Sequence, residues 1–228
     1  MLSDRREFLK QLAWTTGGTV LMPLVSSCAS SSKGDTRTMP NASPNLEELP
    51  PPPLSKPADW DPIAYNLKRG MSGAIPSSYH EKVNGPDGES KHLGKHLPYL
   101  PKFDQSKVPD GFLAIMWGDE AKGHARHPNA VPGPDNNNEG HWYNWIRIRK
   151  AIDGSAVQLQ SQYLQWPTRS NADTGQYAVL GGGELTDDSG KNTIYLAGLP
   201  KDLKSGDTIR IWAHCLTHGE YVDFITLP

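Results

Sequence analysis

The residues best suited to chemistry lie near the C-terminus, in Trp212-Ala213-His214-Cys215-Leu216-Thr217-His218-Gly219. A cysteine and a histidine this close together, with a glycine next, can turn a soft thiolate and an imidazole toward one point. That suits a transition metal. The spacing is short and common, and a buried free cysteine beside a surface histidine would show it too. The other histidines add weight. His96 sits in Lys95-His96-Leu97-Pro98, His127 opens His127-Pro128-Asn129, and His141 follows Glu139-Gly140. With His124 and His218 they could supply a site assembled from loops.

Strands must hold those loops. From Phe112 onward, β-branched and aromatic runs alternate with turn residues. The candidates are Phe112–Trp117, His141–Arg149, Val157–Leu164, Tyr177–Leu180, Thr193–Ala197, Thr208–Ala213 and Tyr221–Leu227. Asp153-Gly154, Gly181-Gly182-Gly183, Ser189-Gly190, Ser205-Gly206 and His218-Gly219 punctuate them. About seven short strands without a convincing amphipathic helix predict an all-β fold, an immunoglobulin-like antiparallel β-sandwich. Alternation in His141–Arg149 places His141, Tyr143 and Trp145 on one face and Trp142, Asn144 and Ile146 on the other. Trp142, Trp145 and Trp212 are expected in the sandwich core rather than along an electron route. His80, His92 and His214 are expected at the surface or just behind the site.

Upstream, Ser77–Asp110 reads as loop, and 58–75 carries Trp60, Ile63, Tyr65 and Leu67 without a clear period. Residues 29–57 are Ser-rich and then Pro-rich through Pro50–Pro53, the composition of an extended tether. The chain opens with Arg5-Arg6 ahead of a short apolar run ending Leu24-Val25-Ser26-Ser27-Cys28. Paired arginines there mark a twin-arginine export signal, and the run is too short and broken for a confident transmembrane helix. Its end resembles a bacterial lipobox, which implies a lipid-carrying Cys28, a membrane anchor and a periplasmic location. The expected organisation is therefore a signal (1–28), a linker and extension (29–75) and a β-sandwich domain (76–228). Without its leader the protein has a single cysteine, Cys215, and so no intramolecular disulfide. The net charge of −2 and the lack of a basic cluster with interleaved aromatics argue against nucleic acid as a partner. The sequence leaves homo-oligomerisation open.

The ordered set of motifs resembles the superoxide reductase family, the iron domain also found in desulfoferrodoxins. Lys95-His96-Leu97-Pro98, His127-Pro128-Asn129, Glu139-Gly140-His141 and Cys215-Leu216-Thr217-His218-Gly219 match its motifs in family order across residues 88–228. Each match is weak alone; the ordered conjunction is specific. The resemblance implies one mononuclear non-haem iron, with His96, His127, His141 and His218 as equatorial ligands and Cys215 as the axial thiolate. It implies reduction of superoxide to hydrogen peroxide, Lys95 as the residue that attracts the anion and organises proton delivery, and an external electron donor. His92 rivals His96 through Lys91-His92, but only His96 is followed by the x-Pro element. Gly94 stands where the family commonly has a capping glutamate, with Glu89 the nearest substitute in sequence. Val131–Asn138 is an insertion, and no second, rubredoxin-like cysteine set is present.

Two other classes fit parts of the pattern. A blue-copper carrier also uses two histidines and a cysteine on a β-sandwich, but it normally places an axial Met after the last His. No methionine follows Met116. A sandwich module that binds iron or a partner without turnover would show the same motifs. Consumption of superoxide separates it from an enzyme.

Overall fold

The computed structural model describes residues 49–102, 105–136, 138–166, 176–180, 183 and 187–228, all within one unit, Ser43–Pro228. The leader with Cys28, linker residues 29–48 and the Gly181-Gly182 punctuator lie outside the described residues. No described helix is long and apolar enough to cross a membrane.

Among the described residues eight strands carry the fold: β1 (Pro98–Tyr99), β2 (Phe112–Trp117), β3 (Tyr143–Lys150), β4 (Gln158–Gln162), β5 (Tyr177–Val179), β6 (Thr193–Gly198), β7 (Thr208–Cys215) and β8 (Gly219–Thr226). They form two four-stranded sheets, ordered β1-β2-β6-β5 and β4-β3-β7-β8, with every pairing antiparallel. This is the immunoglobulin order: the first sheet takes the ABED place, β3-β7-β8 takes CFG, and β4 is an added edge. The strand the sequence pattern lacks is β1, two residues long and directly after the His96 motif.

The core lies between the sheets. Tyr143, Ile146, Ile148, Ile209, Ile211, Ala213 and Cys215 pack against Ile115, Trp117, Tyr177, Tyr195 and Ala197. Here the alternation expected for β3 is corrected. A register shift between Tyr143 and Trp145 breaks the period, so Tyr143 and Ile146 are both fully buried and Trp145 turns outward. A bulge inserts one residue and flips everything beyond it. The core assignment therefore holds for Trp142, which is buried, and fails for Trp145 and Trp212, which are only partly buried on the outer face.

Helix α1 (Pro62–Arg69) also departs from the sequence reading. Asp61 caps it by accepting from the Ile63 and Ala64 N–H groups at 2.9 and 3.0 Å, and Pro62 suits the first turn. At eight residues it would be marginal alone. Asn66 ties it to the sandwich: its Nδ2 donates to Val222 O and its Oδ1 accepts from Val222 N, at 2.7 and 2.8 Å. Thus Asn66 supplies the outward-facing backbone groups of the edge strand β8 with the partners a further strand would give. Replacing Asn66 with Ala orphans a buried donor and a buried acceptor, each worth ~1–3 kcal/mol. We expect Asn66→Ala to destabilise the fold by ~2–4 kcal/mol in urea denaturation. A loss under ~0.5 kcal/mol would show that α1 does not secure this edge.

Candidate metal centre

Four loops at one end of the sandwich deliver the candidate ligands. His96 ends the tight turn Gly94–His96 just before β1. His127 follows β2, its N–H bonded to Trp117 O at 3.1 Å. His141 makes an isolated bridge with Ala130 before β3 begins. Cys215 closes β7, and His218 sits in the turn into β8, where Thr217 Oγ1 donates to Gly140 O at 2.6 Å. Gly219 is required in that turn: its φ is +84°, and a Cβ there would lie 2.1 Å from Ala74 O.

These loops bring the donors together. The ligand atoms of His96, His141, Cys215 and His218 all lie within 4.8 Å of one another. His218 Nδ1 is 3.1 Å from His96 Nε2, 3.0 Å from His141 Nε2 and 3.9 Å from Cys215 Sγ. His127 stands outside this group of four, but its Nε2 is 3.6 Å from Sγ. Its ring centroid lies 4.2 Å from that of His141 and 5.0 Å from that of His96. His96 and Cys215 are 0% exposed, His127 2% and His141 7%.

Proton accounting shows that the cluster fits a cation. His96 Nδ1 lies 2.7 Å from His92 O. A carbonyl only accepts, so Nδ1 carries the proton and Nε2 presents a lone pair. His218 Nδ1 has at most one proton to offer two ring nitrogens and a sulfur. At least one of these close contacts is therefore left without a proton of its own. Protonation cannot relieve this, because burial pushes His141 down to about 3, His218 down to about 2, and His96 and His127 well below the usual imidazole value. His127 Nδ1 is buried without a well-formed hydrogen bond. Burial pushes the Cys215 thiol up to about 12, opposed by the His218 and Thr217 N–H groups and by Lys95. A bound cation reverses that balance and deprotonates the thiol. The group of four can therefore hold a metal, and its N/S donors without carboxylate suit a transition metal rather than calcium or magnesium.

Aromatic rings hold the ligand planes. Tyr221 stacks on His96 at 4.2 Å and 5°, and Tyr79 on His218 at 3.8 Å and 24°. Tyr143 packs on His127 at 4.9 Å and donates its hydroxyl hydrogen to His96 O at 3.3 Å. No sequence signal singled out Tyr79 or Tyr221. Lys95 is partly buried, with Nζ 5.5 Å from the Tyr79 ring centroid, and its pKa falls to about 8, chiefly through burial. His92 is not drawn into the cluster: its carbonyl accepts from His96, and its ring Nδ1 lies 3.1 Å from the Tyr79 hydroxyl. Glu89 is exposed. Gly94 leaves no room for a side chain, since a Cβ would lie 2.6 Å from both Glu89 O and the His124 ring. His124 thus fills space beside Gly94. Met116 is remote in function: it accepts from the Tyr99 hydroxyl within another hydrophobic cluster. No protein-family model, curated protein or solved structure matches this chain.

The depressed imidazoles give the metal-free protein an acid liability. Below ~6.5 the unfolded chain takes up protons that the folded chain refuses, so stability is present above that pH and lost as pH falls toward the folded values. Each such histidine contributes a slope of ~1.4 kcal/mol per pH unit, and four give roughly 5 once well below pH 6.5. We expect the metal-free chain to lose several kcal/mol between pH 7 and pH 5 in urea titrations. A flat profile would show that the rings are not held neutral.

Proposed function

We propose that this chain is a one-iron superoxide reductase that converts superoxide to hydrogen peroxide outside the cytoplasm. The observation that carries this reading is the gathering of three ring nitrogens and one thiol within 4.8 Å of one another, without a carboxylate, with His127 Nε2 standing 3.6 Å from that thiol as a further donor. Five protein donors exceed the four of a structural zinc site. The motifs that supply them stand in the order of the family the sequence resembles. When bound by His96, His127, His141, His218 and Cys215, iron supplies a one-electron couple and one free coordination position.

The chain's own groups do the rest. The His218 and Thr217 N–H groups support thiolate charge on Cys215. Tyr79 and Tyr221 fix the planes of His218 and His96. Lys95, partly open to solvent, draws the superoxide anion toward the site and organises a water that delivers a proton. The reaction takes one electron and two protons per superoxide, the electron coming from an external donor. In the same reading, the paired arginines export the chain and a lipid on Cys28 tethers it to a membrane.

Superoxide should disappear in the presence of the iron-loaded protein and a reductant without release of dioxygen. Dioxygen release would point to dismutation instead. A charge ~4–6 Å from the reacting anion is worth on the order of 1–3 kcal/mol in a partly solvated site, or ~10- to 100-fold in rate. Lys95→Ala is expected to keep its metal content and react at least several-fold more slowly. Added salt should slow the wild type more steeply than the variant. An unchanged rate with metal intact would dismiss the role of Lys95.

A further inference from the structure

The outer face of the β4-β3-β7-β8 sheet carries a cluster that the proposed chemistry does not use. Trp145 and His214 are cross-strand partners in the β3–β7 register, with rings parallel within 15° and centroids 5.8 Å apart. Asn144 Oδ1 fixes the His214 ring at 2.7 Å from Nδ1. Trp212 meets Trp145 edge-on at 5.4 Å. The Arg147 guanidinium lies over both indoles, at 4.5 and 4.7 Å from their centroids, and Arg69 and Arg210 approach Trp212 at 5.6 and 5.8 Å. Trp145, Arg147, Trp212 and His214 are all partly exposed.

Two features give this cluster a direction. Strand alternation turns Cys215 into the core and the preceding His214 outward, so a short run of covalent bonds joins an outer-face ring to the buried thiol. The charge is also one-sided. Arg147 and Arg149 stand opposite Trp212 and Arg210 in the β3–β7 register; Arg69, Arg149 and Arg210 are buried, with donors held by backbone carbonyls, and Arg147 is the partly exposed guanidinium of the group. Glu220 joins them there, accepting from Arg69 and Trp212 at 2.8 and 3.0 Å, and Glu139 also lies near enough to act on His214.

We propose that this face is the docking and electron-entry surface for an acidic one-electron carrier protein, with Trp145 and His214 relaying the electron toward Cys215. The proposal rests on the iron reading above. With iron bound, one electron from the reduced carrier would take it from the ferric to the ferrous state, with no bond or proton moving. Arg147 steers the acidic partner, as charge patches do in fast, weak encounters. Such contacts are small, so a patch of this kind suffices.

A plant-type [2Fe–2S] ferredoxin, a small acidic carrier, serves as the probe, with the full-length protein. At low salt it should bind the wild type in a salt-sensitive manner. Arg147→Gln should bind at least ~3-fold and Arg147→Glu at least ~10-fold more weakly. Trp145→Leu should bind within ~2-fold of wild type, yet accept electrons from reduced ferredoxin at least ~5-fold more slowly. Reduction by ascorbate should stay within ~2-fold in all variants, a split that a merely structural role would not produce. Absent binding, equal affinity in Arg147→Glu, or equal ferredoxin-driven rates in Trp145→Leu would overturn the proposal. If the protein shows no thiolate-to-iron band, the iron reading and the relay fall together, and the affinity series alone then decides the docking surface.

Discussion

The structure turns on one constraint: four imidazoles held neutral by burial crowd around one thiol, and their protons cannot satisfy every contact among them. His96 donates its ring proton to a carbonyl, and His218 Nδ1 faces two ring nitrogens and a sulfur at once. Burial forbids charging the rings, which is the ordinary escape for crowded histidines. A buried polar group without a partner costs about 1–3 kcal/mol, so this cluster is a local liability until a cation enters. The liability is confined to the end of the sandwich where the loops meet, while the core between the sheets is apolar and aromatic.

The segment before the sandwich helps to make that end dry. Ile75, Tyr79, Val83, Leu93 and Leu97 cluster with Tyr221 of β8, and Tyr79 lies against the His218 ring. Close approach of Ala74 to Gly219 seats this segment on the turn that carries His218. Asn66 anchors it again at the β8 edge. Even the proline run takes part, because Pro50, Pro52 and Pro53 offer carbonyls to Arg69 and Arg210. Those carbonyls satisfy donors of two buried guanidiniums, and Arg69 is further paired with Glu220.

Much of this was legible in the sequence because both signals were local. β-Branched and aromatic runs between turn residues marked seven strands, and the short motifs around His96, His127, His141 and Cys215 marked the loops between them. Alternation failed at Trp145 because a bulge is set by how β3 pairs with β7, which no single strand encodes. Helix α1 was missed because its apolar face is short, with Ile63 and Leu67 packing on a neighbouring cluster, and the rest of its support comes from the Asp61 cap and from the bonds of Asn66 to Val222 on a distant strand. Tyr79 and Tyr221 were missed for the same kind of reason: their contacts with His218 and His96 exist only once the chain has folded. Choosing His96 over His92 from the x-Pro element agrees with the geometry, where the proline starts β1 and the His92 carbonyl holds the ring of His96.

The central claim is that all five donors surround one metal ion. Metal analysis with X-ray absorption at the metal edge of natively expressed protein tests it most directly. The account predicts about one iron per chain, bound by one sulfur and four nitrogens, with the sulfur lost in Cys215→Ser. Stoichiometric zinc or copper, or a metal shell without sulfur, would contradict it.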